Sequence, residues 1–335
     1  MILVTGGTGL VGSHLLLQLV RSGFAVRATY RQNSNLKRVE KIFAYYEQKS
    51  EELFGKIEWI LADLNDIPGM ETAFQDITHV YHCAALISFD PKDYDILHNT
   101  NTLGTANLVN LCLANNIEKL CHVSTIGAIG KSVNGNSATE ENEWVEEDIN
   151  VYALTKHAAE MEVWRGSQEG LPVIIVNPGV IVGPGFWEEG SGNLFTTASK
   201  GYSYFPPGGT GFITIGDLIR IMTGLMDSSL VNQRYITVAE NITFETMLGL
   251  LTKYLGKPKP TKKLAFWQLH IGRIFDMFFC FFTGRRRRIT KNSIKSLKTR
   301  GTYDNTKIKK ELNFEFEPLE KTIQFCCTRF IEENL

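Results

Sequence analysis

Two side chains with complementary acid–base chemistry stand four residues apart near the middle of the sequence. Tyr152 and Lys156 frame the segment Tyr-Ala-Leu-Thr-Lys, and on a helix this spacing places them on one face, one turn apart. A free tyrosine has a pKa of about 10, and a neighbouring ammonium lowers that pKa by stabilising the phenolate. We therefore expect Tyr152 to exchange a proton near neutral pH, with Lys156 lowering its pKa.

A hydroxyl group that could orient a reacting oxygen lies earlier in the chain. The segment 119–124 is apolar enough to be a strand, and Ser124 and Thr125 stand at its carboxyl end. Ligands bind at the carboxyl edge of open α/β sheets, where such a hydroxyl could hydrogen-bond a substrate oxygen. Capping or turn formation within the segment 124–130 is the alternative role.

A glycine-rich turn stands at the start of the sequence, between a strand-like run and a helical pattern. Gly6, Gly9 and Gly12 are spaced three apart. Gly6 would allow a tight turn, Gly9 the approach of a pyrophosphate, and Gly12 close packing of the helix on the sheet. The amino end of the helix would then face the phosphates. This context predicts a dinucleotide site, with a glycine loop that binds no ligand as the alternative.

The segment that follows the second predicted strand favours NADP(H) over NAD(H). An NAD site usually carries an acidic residue there, which binds the ribose 2′-hydroxyl. This sequence has no acid in that segment, and Arg31 stands where a 2′-phosphate could be bound, with Lys37 and Arg38 close behind. Ordinary surface cations are the alternative. Asp63, after the third strand, could accept a hydrogen bond from the adenine amine or cap a helix.

Short apolar runs alternate with helical patterns along the first half of the chain, which predicts βαβ units and an α/β fold. We expect a Rossmann-type, doubly wound parallel sheet with a smaller, mostly helical substrate-binding region. The dinucleotide-binding domain would span residues 1–178 with a further strand near 234–240, and the substrate-binding region would span 179–233 and 241–335. Within the first domain we expect a charged, exposed helix over 36–50 and a long helix over 94–115.

Composition narrows the class of protein. The chain has 335 residues, 43% of them hydrophobic and 21% charged, with a net charge of −1, so we expect no nucleic-acid partner. The six cysteines and seven histidines show no metal-ligand spacing, so no metal is expected, and the thiols indicate a reduced, cytoplasmic protein. No signal peptide is recognisable, and the most apolar stretch, 274–283, is too short to be an integral membrane segment.

One segment near the carboxyl end combines aromatic and basic residues. Phenylalanines are dense over 275–282, and Arg285–Arg288 is a run of four cations. An aromatic and basic stretch of this kind could lie on a membrane surface or bind an acidic partner. We favour a helix that packs its aromatics on the substrate-binding region and ends in a solvated basic loop.

Together these motifs resemble the extended short-chain dehydrogenase/reductases, which include NAD-dependent epimerase/dehydratases and dihydroflavonol-reductase-like reductases. The glycine turn, the hydroxyl after the fifth strand and the Tyr152/Lys156 pair carry the resemblance, and further segments match along most of the chain. These are Ala84-Ala85, the segment 99–105 with Asn101, the segment 177–185, and the segment 208–217.

The resemblance implies a role for each matching residue. Tyr152 would be the acid/base, Lys156 would hold the nicotinamide ribose, and Thr125 matches the catalytic hydroxyl better than Ser124, with Asn101 in support. The cofactor-binding residues would be Gly6, Thr8, Gly9, Leu10, Gly12, Arg31, Asp63, Leu64, Ala84, Ala85, Tyr152, Lys156, Pro178 and Val180.

Three functions remain open at this point. The favoured one is NADPH-dependent reduction of a ketone or aldehyde, with an apolar or ring-containing substrate indicated by the aromatics Phe186, Trp187, Phe195, Tyr202, Tyr204 and Phe205. A nucleotide-sugar epimerase or dehydratase is the second, although Asn177 stands where many of those enzymes carry arginine. A non-catalytic dinucleotide-binding protein is the third. The family's habit of pairing two helices from each subunit makes a homodimer an expectation.

Overall fold

A seven-stranded parallel sheet forms the centre of the molecule, in a computed structural model that describes residues 1–130, 136–145, 149–265, 267, 294 and 297–334. The strands are β1 (Ile2–Thr5), β2 (Val26–Tyr30), β3 (Ile57–Leu61), β4 (His79–His82), β5 (Lys119–Val123), β6 (Val173–Pro178), β7 (Val180–Val182), β8 (Tyr204–Phe205), β9 (Gly209–Thr214), β10 (Gln233–Thr237), β11 (Glu240–Thr243) and β12 (Lys262–Lys263). The α-helices are α1 (Leu10–Arg21), α2 (Leu36–Ala44), α3 (Ser50–Phe54), α4 (Ile67–Ala73), α5 (Tyr94–Leu97), α6 (Gly104–Ala114), α7 (Val151–Gln168), α8 (Asn193–Ser199), α9 (Ile215–Asp227), α10 (Phe244–Tyr254), α11 (Thr306–Leu312) and α12 (Leu319–Asn334).

The order of the central strands is that of a doubly wound Rossmann sheet. It runs β10-β6-β5-β4-β1-β2-β3, with every neighbouring pair parallel, so the chain reverses direction across the sheet between β1 and β4. Helices α1 and α9 cover one face, and α4, α6 and α7 cover the other. The predicted fold class is confirmed, and the strand expected near 234–240 is β10, which returns to the sheet edge beside β6.

Two helix predictions need correction. The helix expected over 36–50 is two helices, α2 and α3, because the chain turns between Tyr45 and Lys49. The first of them is not simply exposed, since Val39, Ile42 and Phe43 are buried. The helix expected over 94–115 is continuous in direction but contains a π-helical segment, His98–Leu103, between α5 and α6. Such segments are rare and are frequent at functional sites.

The remaining strands and helices form a smaller region around their own apolar core. Strands β7, β9 and β11 make one small sheet, and β8 pairs with β12. Helices α8, α10 and α12 pack around buried Trp187, Phe195 and Phe330, whose rings contact one another. The aromatic segment 275–282 and Arg285–Arg288 lie outside the described residues. Within the described residues, no helix combines the length and apolar character that crossing a bilayer requires.

A carboxylate in α12 connects the smaller region to the α2 segment of the larger one. Glu333 in α12 accepts hydrogen bonds from Lys41 (2.8 Å) and Tyr45 of the α2 segment, and from the Trp187 indole (3.0 Å). These three donors come from both parts of the molecule. Their shared acceptor therefore fixes α12 and the segment after β7 against α2.

Candidate active site

The glycine turn after β1 is built by very close backbone contacts. Gly6 has a φ of +68°, and a Cβ on it would lie 2.6 Å from the Cα of Ala84. A Cβ on Gly12 would lie 2.2 Å from the carbonyl oxygen of Gly6, while the N–H of Gly9 donates to that same oxygen at 3.0 Å. Only glycine fits at Gly6 and Gly12, and the turn that results leads directly into α1. This is the cradle that a pyrophosphate requires, so the residues present fit a dinucleotide.

The segment after β2 is tied to the glycine turn through two hydroxyl groups. Thr8 Oγ donates to Ser34 Oγ at 3.4 Å, and Ser34 Oγ accepts the N–H of Arg31 at 3.0 Å. The N–H of Ser34 donates back to the Arg31 carbonyl at 2.8 Å, which closes a tight turn. Arg31 is the first residue of this turn and is exposed. Its position suits an anion that approaches from the glycine turn.

Arg38, which the sequence placed close behind Arg31, is engaged elsewhere. Its guanidinium donates to Glu189 at 2.9 Å and lies 5.0 Å above the Phe186 ring. Both partners belong to the segment that follows β7. Arg38 therefore joins α2 to the smaller region, and Arg31 and Lys37 are the exposed cations of this segment.

Asp63 does not cap a helix, which corrects one of its two predicted roles. Asp66 is the residue at the amino end of α4, where its carboxylate accepts the N–H of Gly69. Asp63 instead accepts the N–H of Asn65 at 3.0 Å and remains half-buried. Beside it, the buried side chain of Leu64 packs so closely on Gly104 that a Cβ there would lie 2.9 Å away. The role toward adenine stays a prediction.

Tyr152 and Lys156 lie one turn apart on α7, and burial shifts the pKa of both. Burial raises the pKa of Tyr152 to about 12, so the protein alone holds it as a neutral phenol. Lys156 is buried, and its Nζ donates to the Val123 carbonyl at 2.9 Å. Burial lowers the pKa of Lys156 to about 8. The predicted lowering of the Tyr152 pKa is therefore wrong for the protein without its cofactor, where burial raises that pKa.

The two candidate hydroxyls after β5 have different surroundings. Ser124 is buried and donates to Glu160 Oε2 at 2.7 Å. Its hydroxyl proton is therefore not available to a ligand at the sheet edge. Thr125 is half-buried, and its Oγ accepts only a local N–H, that of Gly127, at 3.2 Å among the described residues. Its hydroxyl proton is thus available to an incoming oxygen. This geometry favours Thr125.

A buried carboxylate holds the ends of β5 and β6 together. Glu160, one turn beyond Lys156 on α7, accepts from Ser124 Oγ, from Asn177 Nδ2 (2.9 Å) and from Arg234 (3.2 Å). Asn177 also donates to the Thr125 carbonyl at 3.1 Å. Thus α7 carries the acid/base candidates and also fixes the backbone that presents Thr125. Beyond Asn177 lie the two predicted cofactor residues of this segment, Pro178 at the end of β6 and Val180 at the start of β7.

Asn101 lies in the π-helical segment and connects three parts of the site. Its side-chain amide bonds both backbone groups of Leu86, at 2.7 and 3.0 Å, and donates to Thr155 Oγ at 3.1 Å. Leu86 follows Ala84 and Ala85, and Thr155 precedes Lys156. Asn101 therefore connects the segment after β4 to α7, in keeping with a supporting role.

The aromatic residues expected to line a substrate pocket do not do so as a group, which is a correction. Phe186, Trp187, Phe195 and Phe205 are buried in the smaller region, whereas Tyr202 and Tyr204 are exposed beside lysines. An aromatic residue that the sequence analysis missed is next to the acid/base instead. The Phe89 ring lies edge to face with Tyr152, with centroids 5.7 Å apart, and is 47% exposed. No periodic pattern marks Phe89, because it lies in an irregular segment.

Comparisons with known proteins agree with this geometry. The model of an NAD-binding family described as Male sterility protein matches residues 4–224. Sterol demethylase protein B from Methylococcus capsulatus is 28% identical over 316 residues, 92% of either chain. Dihydroflavonol 4-reductase from Arabidopsis thaliana is 25% identical over 266 residues, 74% of this chain and 68% of the relative. The structure of UDP-glucose 4-epimerase from Thermotoga maritima superposes with a TM-score of 0.77 at 20% identity, over 99% of both chains, which shows a shared fold.

Proposed function

Because the chain belongs to this NAD-binding family, and with it to the extended short-chain dehydrogenase/reductases, we propose that it reduces a carbonyl group with NADPH. Its class is that of a nicotinamide-dinucleotide-dependent oxidoreductase. The choice of a ketone or aldehyde as substrate, and of NADPH as reductant, is our proposal. The observation that carries it is the placement of Tyr152 and Lys156 one turn apart on α7, with Lys156 bonded to the Val123 carbonyl two residues before the available Thr125 hydroxyl.

A carbonyl reductase needs a proton donor, whereas an alcohol dehydrogenase needs a proton acceptor at the same place. A tyrosine is a neutral phenol at pH 7, and burial raises the pKa of Tyr152 further, to about 12. The protein alone is therefore set up to give a proton to a substrate oxygen. A neutral Tyr152 can act as the proton donor that carbonyl reduction requires.

Each residue of the candidate site would have a separate role in the proposed reduction. The glycine turn and the amino end of α1 would bind the pyrophosphate, and a bound reduced nicotinamide supplies the hydride. Thr125 would donate a hydrogen bond to the carbonyl oxygen and hold it near Tyr152. Tyr152 would transfer its phenolic proton to that oxygen as the C–O bond becomes that of an alcohol. The ammonium of Lys156, one turn further along α7, would stabilise the phenolate that remains.

An apolar substrate with rings fits the wall beside the acid/base. Phe89 presents its ring next to Tyr152 and leaves nearly half of its surface exposed. Two relatives are named for a dihydroflavonol and for sterol demethylation, both with ring substrates in their names. Asn177, which donates to the Thr125 carbonyl and to Glu160, is uncharged. It offers no cation to a nucleotide diphosphate, which argues against a nucleotide-sugar substrate.

Turnover assays test this function directly. Purified protein should oxidise NADPH in the presence of ring-bearing ketones or aldehydes, monitored by absorbance, and should release the alcohol. A dinucleotide that stays bound through purification, together with interconversion of UDP- or dTDP-sugars, would replace the proposal with an epimerase or dehydratase. Tight dinucleotide binding without turnover of either substrate class would leave only a binding function.

Replacing Arg31 should change the preference between the two dinucleotides. Arg31→Ala removes the side chain of an exposed arginine whose backbone N–H is bonded to Ser34, and Ser34 in turn contacts Thr8 of the glycine turn. We expect the Kd for NADPH to rise about 10- to 100-fold, the value of a charge-assisted phosphate contact, with little change for NADH. Fluorescence titration with both dinucleotides measures the two constants.

Lys56→Ala is the matched control for this variant, since Lys56 is exposed at the amino end of β3, away from the predicted site. It removes the same charge and should leave both constants unchanged. Equal losses for NADPH and NADH in the Arg31 variant would show that Arg31 does not bind a 2′-phosphate.

A further inference from the structure

His122 contacts the candidate catalytic lysine and has no role in the proposed chemistry so far. It is the residue before Val123 near the carboxyl end of β5, and it is fully buried. Its Nε2 lies 3.3 Å from the Nζ of Lys156. A buried imidazole within hydrogen-bond reach of a buried ammonium is a costly arrangement unless the two groups stabilise each other.

The groups that face Lys156 come from three elements. From β5 come the Val123 carbonyl and His122, from the end of β4 and the segment after it come His82 and Cys83, and from α7 itself comes Glu160. Glu160 and Cys83 both act to raise the pKa of Lys156 and so oppose the effect of burial. Among the described residues, the two hydrogen-bond acceptors recorded for the ammonium are the carbonyl and the imidazole.

A second histidine near Lys156, His82, is also buried and neutral, and its hydrogen bonds fix the position of its proton. Thr105 Oγ donates to the Asn101 carbonyl at 2.5 Å, so its oxygen accepts from His82 Nε2 at 2.9 Å. The proton of His82 is therefore on Nε2, and its Nδ1 accepts from Thr5 Oγ at 2.7 Å. Burial and the charge of Lys156 lower the pKa of His82 to about 3. His82 thus presents an uncharged ring to its neighbour.

His122 is neutral for similar reasons, and the charge beside it fixes its tautomer. Burial, followed by Lys156 and by the adjacent His82, lowers the pKa of His122 well below its usual value. The His82 ring packs on it with centroids 5.0 Å apart. For an ammonium to donate to Nε2, the proton of His122 must be on Nδ1, which has no hydrogen-bond partner among the described residues.

We propose that His122 is a positioning residue that accepts a hydrogen bond from Lys156 and aims its ammonium, an inference that rests on the proposed reductase function. An ammonium has three N–H donors. The Val123 carbonyl and His122 Nε2 take two of them, which leaves the third to point toward the sheet edge where Tyr152 and the cofactor ribose would lie. His122 also stabilises the charged form of Lys156, because its lone pair faces the ammonium.

Two variants separate the acceptor from the bulk of the side chain. His122→Phe keeps a ring against His82 but removes the acceptor, whereas His122→Gln keeps an acceptor near the position of Nε2. We expect kcat/KM with NADPH to fall about tenfold in the Phe variant, the value of one hydrogen bond to a charged group, and to recover in the Gln variant.

The pH profile gives the readout that a merely structural role would not change. The ammonium is the active form, so activity is lost as pH rises through the pKa of Lys156. Removing its acceptor destabilises the ammonium and lowers that pKa, so the alkaline limb of the kcat/KM profile should move to lower pH in His122→Phe. His79→Phe, at the other end of the neighbouring strand β4, is the control and should leave the limb in place.

A measurement on the unaltered protein keeps the inference testable if the Phe variant fails to fold. Nitrogen chemical shifts of ¹⁵N-labelled histidine should show His122 protonated at Nδ1 and bare at Nε2 at neutral pH, with a change at the pH where Lys156 titrates. A His122 ring protonated at Nε2 in that state would overturn the proposal, as would an unmoved alkaline limb in a folded Phe variant. Absence of carbonyl turnover in the unaltered protein would instead contradict the proposed function, and the nitrogen shifts would still decide the role of His122.

Discussion

Tyr152→Phe should reduce carbonyl reduction about a thousandfold while leaving NADPH binding almost unchanged. The substitution removes one hydroxyl, which is the proton donor in the proposed reaction, and general acid catalysis contributes factors of 10² to 10⁴. The ring of the new side chain can keep its edge-to-face contact with Phe89. Steady-state kcat and the NADPH Kd, measured on the same preparation, separate the chemical step from binding.

The control for Tyr152 is a tyrosine whose hydroxyl has only a structural partner. Tyr254 donates to Glu320 at 2.7 Å, between α10 and α12, and Tyr254→Phe should leave kcat within about twofold. Retention of most of the activity by Tyr152→Phe would mean that another group supplies the proton. A parallel loss of NADPH affinity would mean that the substitution disturbed the site as a whole.

Gly12→Ala should abolish measurable dinucleotide binding, with a rise in Kd of more than about 100-fold. The added methyl group would meet the Gly6 carbonyl oxygen at 2.2 Å, and that atom is backbone in the turn that would bind the pyrophosphate. The turn has to open, because α1 is held by its buried leucines against the sheet. Fluorescence titration gives the affinity, and thermal unfolding gives the cost to the fold.

A second helical glycine provides the comparison. In α9, a Cβ on Gly224 would have its nearest neighbour, the Leu312 side chain, at 3.5 Å, an ordinary contact. Gly224→Ala should therefore keep NADPH affinity and stabilise the protein by up to about 1 kcal/mol through helix propensity. If Gly12→Ala bound NADPH as the unaltered chain does, the glycine turn would not be the phosphate site.

The parts of this molecule that could be predicted are those with short-range signals. Spacing of apolar residues and glycines located β1, the turn and α1, and helical spacing put Tyr152 and Lys156 on one face of α7. The same logic found β10 as a late strand, although its place beside β6 became certain only in the structure.

The contacts that decide the chemistry are long-range, and no local pattern encodes them. His122 meets Lys156 only because β5 and α7 pack in a particular register, and Glu160 joins Ser124 to Asn177 for the same reason. Burial also acts through the whole fold. Burial raises the pKa of Tyr152, whereas Lys156, four residues further along the chain, suggested a lower pKa.

The contact of Tyr45 with Glu333 joins residues 288 positions apart, and it has a consequence for how the chain is made. During synthesis, α2 leaves the ribosome long before α12. Helix α2 would border the adenosine end of the cofactor. For most of synthesis, neither its segment, with Lys41 and Tyr45, nor Trp187 can contact the carboxylate of Glu333. Contacts of such separation form late, because a long loop must close before they stabilise anything. The nascent protein would thus complete its sheet first and fasten the smaller region onto it last.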